Sequence, residues 1–115
     1  MTLNDRIRNG ESFIVADDGQ FLGKLSLNRY DSESISNTYG EYGSKYSSTS
    51  ILNQYSSYGS KYSSLSPYNQ YTSTPPIIYL HGNKYGHLTK NKYVGLTRLD
   101  PEEIFGWIKQ NQLNY

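Results

Sequence analysis

The sequence predicts a β-rich α+β domain: two related β-hairpins flank a Tyr/Ser/Gly/Asn repeat segment of turns and loops, and a C-terminal helix docks on them. Three features lead there: a hairpin pattern that occurs twice, a sixteen-residue repeat between its copies, and a capped apolar segment after Asp100.

Residues 1–10 read as a short helix, with Thr2 as cap, Asp5 completing a capping box, Leu3 and Ile7 on one face and Gly10 as terminator. Residues 13–30 read as the first hairpin. Phe13 to Ala16 is a strand, Asp17-Asp18-Gly19 the turn, and Phe21 to Leu27 the return strand with Phe21, Gly23, Leu25 and Leu27 on one face. Residues 77–93 repeat the pattern: Gly19 to Tyr30 aligns without a gap to Gly82 to Tyr93, and Ile14 and Val15 fall opposite Ile77 and Ile78. A pseudo-twofold arrangement with the hairpins paired or stacked is the simplest consequence. Both copies close on Asn-Xaa-Tyr, as Asn28-Arg29-Tyr30 and Asn91-Lys92-Tyr93.

Residues 32–73 carry the shorter repeat, with Asn37, Asn53 and Asn69 at equivalent places, Tyr39, Tyr55 and Tyr71 as one tyrosine row, and Tyr46 and Tyr62 as a second. The asparagines suit Asx-turns, and Gly43 and Gly59 suit positive φ. So few copies need caps at their ends, which the hairpins can provide. In residues 100–111, Asp100 suits an N-cap, Pro101 the first helical position and Glu103 a capping box, with Ile104, Phe105, Trp107 and Ile108 as the apolar face and Lys109 near the C-terminal dipole.

At 115 residues the chain has room for one domain and one modest core. Leu, Ile, Val and Phe make up only about a fifth of it. Thirteen tyrosines are expected to fill the deficit, with Tyr39, Tyr46, Tyr55 and Tyr62 packing inside and Tyr42, Tyr58 and Tyr68 exposed. There is no cysteine for a disulfide or thiolate site, and a net charge of +1 gives no strong footprint for nucleic acid or anionic membrane. No apolar stretch suits a secretory leader or a membrane span, so a cytoplasmic location is expected.

The unit Ser-Ile-Xaa-Asn-Xaa-Tyr-Gly-Xaa-Tyr-Gly-Ser-Lys-Tyr-Ser-Ser, followed by Pro75-Pro76 and a hairpin, resembles a group of small uncharacterised bacterial proteins, over roughly Phe13 to Tyr93. The resemblance implies a bacterial, ordered, repeat-built protein and brings no activity with it.

No catalytic, metal or cofactor constellation stands out. His81 falls in a turn and His87 on an outward strand face, Asp17-Asp18-Gly19 lacks the ligand spacing of a calcium loop, and the serines lack a nucleophile-elbow pattern. The expected function is a non-enzymatic structural or protein-interaction module that self-associates through its aromatic repeat surface, as a homo-oligomer or with another protein. Unpaired hairpin edges would favour such pairing. The alternative is a binder of single-stranded nucleic acid or carbohydrate, by stacking on Tyr42, Tyr58 and Tyr68 beside Lys45 and Lys61.

Overall fold

Phe13–Val15 (β1) and Phe21–Lys24 (β2) form the first antiparallel hairpin, and Ile77–Leu80 (β3) and Asn83–Leu88 (β4) the second. The computed structural model, which describes residues 1–95 and 97–113, joins them edge to edge through β1 and β3. Arg98–Leu99 (β5) runs parallel to β4, giving the strand order β2-β1-β3-β4-β5. Ile14 pairs with Ile78 and Val15 with Ile77, so residues equivalent in the two halves exchange partners across a local twofold.

The symmetry continues outward. Lys24 bridges in parallel to Ser34, and His87, its counterpart, pairs in parallel with Arg98. A glycine in each hairpin admits this third segment. A Cβ on Gly23 (φ +118°) would lie 2.7 Å from Ile35 Cγ2, and one on Gly86 would lie 2.4 Å from the Thr97 carbonyl oxygen. Each hairpin's outer strand therefore has a neighbouring segment over part of its length, at Lys24 and at His87–Leu88.

The first helix, Leu3–Arg8 (α1), begins with the expected reciprocal Thr2–Asp5 capping box. It delivers Arg6 to a buried position, where the guanidinium lies 3.7 Å over the Phe21 ring and donates to Glu11 at 2.9 Å and Glu33 at 2.7 Å. Burial works against the Arg6 charge, yet its two carboxylate partners keep its pKa raised; the same hydrogen bond from Arg6 lowers that of Glu33.

The core is mainly aliphatic, contrary to the expectation of a tyrosine interior. Ile14, Leu22, Leu25, Ile35, Ile51, Ile78, Leu88, Ile104, Ile108 and Leu113 are buried in one cluster, against which Tyr42, Tyr58 and Tyr85 pack only partly. Leu22 points into the cluster although simple alternation places Phe21 and Gly23 on the inner face. The positive φ of Gly23 and a register shift between Phe13 and Val15 break the alternation. Phe21 instead packs outside the main cluster, against Phe13, which stacks on Tyr79 with centroids 4.9 Å apart.

The C-terminal segment opens as a 3₁₀ turn, Pro101–Glu103, and continues as the α-helix Ile104–Gln110 (α2). Asp100 caps it by accepting from Glu102 N–H at 2.9 Å, so the expected box through Glu103 does not form. Ile104, Trp107 and Ile108 are buried, with Trp107 edge-on to Tyr85, whereas Phe105 lies outside the docked face and is exposed. Among the described residues no helix is long and apolar enough to cross a membrane.

Candidate functional site

Between the hairpins the chain advances in triplets. The N–H groups of Asn53, Ser56, Ser63, Ser66, Asn69 and Thr72 each donate to the carbonyl three residues back. The first side chain of each triplet caps its own turn, accepting from the N–H two residues on: Asn37 from Tyr39, Ser44 from Tyr46, Asn53 from Tyr55, Ser60 from Tyr62 and Asn69 from Tyr71. The expected Asx-turns are therefore present, and Ser takes the same part as Asn. Asn28 and Asn91 make this turn at the ends of the two hairpins.

A second set of bonds coils the triplets. Asn53 and Asn69 donate through Nδ2 to the carbonyls of Ser47 and Ser63, and the hydroxyls of Ser34 and Ser50 donate to carbonyls eight residues back, on Ser26 and Tyr42. The backbone thus returns over itself about every eight residues, and two such turns make the sixteen-residue repeat. Triplets do not divide evenly into sixteen, so one extra residue enters where Ser44 and Ser60 bond four residues back, beside Gly43 and Gly59. Neither glycine has the positive φ expected of it. They are needed for space instead, because a Cβ at either would lie 2.1 Å from a carbonyl oxygen, of Asn37 or Asn53.

This coil sorts the tyrosines. Tyr30, Tyr39, Tyr46, Tyr55, Tyr62 and Tyr71 alternate nine and seven residues apart, follow one side of the coil, and are 82–98% exposed. Half a turn away, Ile35, Tyr42, Ile51, Tyr58 and Pro67 face the sheet and are buried or half-buried. The expected arrangement is reversed: Tyr39, Tyr46, Tyr55 and Tyr62 are outside, whereas Tyr42, Tyr58 and Tyr68 are half-buried. Tyr42 sits edge-on to Phe21 at 4.9 Å, and the Tyr58 hydroxyl donates to Asp18 Oδ2 at 2.7 Å, a bond that raises its pKa. Burial, helped by the Glu102 and Asp100 charges, pushes Tyr68 up to about 12.

Successive outward tyrosines enclose three consecutive grooves. The space between Tyr46 and Tyr55 is about 650 Å³, that between Tyr55 and Tyr62 about 700 Å³, and that between Tyr62 and Tyr71 about 550 Å³. Lys45 and Lys61 stand beside the first ring of the outer two grooves, and Gln54 and Gln70 beside the second. Leu52 lines the first two grooves, and its repeat counterpart Tyr68 the last two. Of the sequence candidates, Lys45, Lys61 and Tyr68 meet here, while Tyr42 and Tyr58 do not line these grooves. Glu102, brought in from the C-terminal segment, carried no repeat signal, whereas Lys90 belongs to the second hairpin copy.

The histidines lie apart from this surface. His81 occupies the β3–β4 turn with φ +51° and is exposed, as expected; His87 is half-buried on β4 rather than outward, with no partner for Nδ1. Among the described residues, no group of three or more His, Asp or Glu side chains is placed to hold a metal. Comparison with family models, with curated proteins and with solved structures finds no match to this chain.

Proposed function

We propose that the chain is a non-enzymatic interaction module that holds an extended, repeating partner along its outward tyrosines. The observation that carries this reading is the run of three grooves between Tyr46, Tyr55, Tyr62 and Tyr71, each flanked by two outward rings. A partner built of repeated units meets a similar wall at each step, and the energy of each contact adds along the row. Aromatic stacking of this kind contributes about 1–3 kcal/mol per unit.

The test is a triple variant, Tyr46→Ser with Tyr55→Ser and Tyr62→Ser. These rings are exposed, so the fold should persist by circular dichroism. Wild-type protein should show NMR shift changes at these tyrosines with at least one of a single-stranded oligonucleotide, an acidic polysaccharide and a neutral glucan, and the variant should bind at least about tenfold more weakly, the equivalent of one lost stack. No response from the wild type to any of the three would overturn the proposal.

Self-association is the second reading, favoured by the seven tyrosines among the described residues that are each more than four-fifths exposed. An aromatic surface of this kind is unusual in a protein that works alone. Light scattering over a range of concentrations distinguishes it: a complex that the triple variant disperses supports this reading, and a strict monomer opposes it.

A further inference from the structure

The turn architecture decides which polar groups beside the tyrosine row are free to meet a partner. Asn53 and Asn69 are used at both ends, accepting at Oδ1 and donating from Nδ2 to backbone. The hydroxyls of Ser44, Ser47, Ser60 and Ser63 accept from N–H groups of their own turns. The residue just before each outward tyrosine makes no such turn bond: Arg29, Thr38, Lys45, Gln54, Lys61 and Gln70. Every second position is cationic.

Among the described residues these cations have no carboxylate partner. Lys24 and Lys90 are, among the described residues, the lysines held by carboxylates, whereas Lys45 and Lys61 are exposed, and Lys61 Nζ lies 5.3 Å over the Tyr62 ring. Arg29 lies similarly, 5.6 Å over Tyr30. The acid in the grooves is Glu102, whose carboxylate is 3.8 Å from Lys90 Nζ. The row therefore offers ring faces with a cation beside every second ring, and the amide side chains of Gln54 and Gln70 between them.

We propose that the partner is single-stranded nucleic acid, its bases stacking in the grooves between Tyr46, Tyr55, Tyr62 and Tyr71 and its phosphates meeting Arg29, Lys45 and Lys61. This inference rests on the binding role given to the row above. A neutral polysaccharide leaves the cations unused, and an acidic one uses them but brings no π face to the rings. A nucleic acid uses both features, one cation serving about two bases at this spacing.

Fluorescence anisotropy of a labelled oligothymidylate tests the inference, with an unlabelled polyuronate and a neutral glucan as competitors and separate ligands. The oligonucleotide should bind, and two or three phosphate contacts predict affinity that falls about tenfold between roughly 50 and 200 mM salt. The charge-reversed pair Lys45→Glu and Lys61→Glu should weaken it at least about tenfold, as should the triple tyrosine variant. Binding of a polysaccharide but not the oligonucleotide would overturn the nucleic-acid assignment and leave the tyrosine row as a binding surface. Oligonucleotide binding that survives loss of the three tyrosines would overturn it too, by showing charge alone at work. No binding by any of the three polymers would remove both proposals.

Discussion

Gly59→Ala is expected to destabilise the protein by about 3 kcal/mol or more, at the upper end of what an added methyl costs in a packed interior. The new Cβ would lie 2.1 Å from the Asn53 carbonyl oxygen and 2.7 Å from that of Ile51. Both atoms belong to the preceding pass of the coil, so no side-chain rotation relieves the overlap. Gly43→Ala meets Asn37 and Ile35 at the same distances, and with total stability of about 5–15 kcal/mol for an ordinary domain the double variant should fail to form the coil. Gly106→Ala provides the control. It lies in α2 with nothing within 4 Å of a new Cβ, and should gain about 0.5–1 kcal/mol from helix propensity. Thermal unfolding followed by circular dichroism separates them, since each kcal/mol moves the midpoint by roughly 4 °C at this size. An unchanged midpoint for Gly59→Ala would contradict the packing of the coil.

Ile51→Ala should cost about 2–5 kcal/mol, the range for truncating a fully buried aliphatic side chain. Ile51 is 1% exposed and brings the middle of the coil into the cluster that holds Ile14 and Ile78 of the sheet. Tyr55→Ala removes a larger side chain four residues away, yet should change stability by less than about 0.5 kcal/mol because its ring is 88% exposed. Urea denaturation of the two variants reads the contrast directly. The reverse order would mean that tyrosines carry the interior after all.

Local chemistry explains which parts of this fold are legible in the sequence. The hairpins can be read because turn glycines and β-branched runs act over a few residues, and their repetition points to the paired arrangement in which Ile14 meets Ile78 and Val15 meets Ile77. The Asx-turns at Asn37, Asn53 and Asn69 are legible for the same reason. The direction of the tyrosines is not, because most of them follow a capping Ser or Asn in the same way. Tyr55 and Tyr58 both take the third place of a triplet, and only the return of the chain after about eight residues sends one out and the other in. That return depends on bonds such as Ser50 to the Tyr42 carbonyl, between side chain and distant backbone. Arg6 is a similar case: its burial depends on Glu33, which lies twenty-seven residues away in sequence. Of the candidate site, the lysines and the repeat could be recognised, whereas the grooves needed the coil.

Native-state amide exchange across residues 31–74, read residue by residue by NMR, tests the central claim most directly. The capped coil predicts slow exchange in a three-residue rhythm, at Asn53, Ser56, Ser63, Ser66, Asn69 and Thr72, whose N–H groups close the turns. Uniform exchange at random-coil rates through this segment would contradict it, and the outward tyrosines would then have no frame to hold them in line.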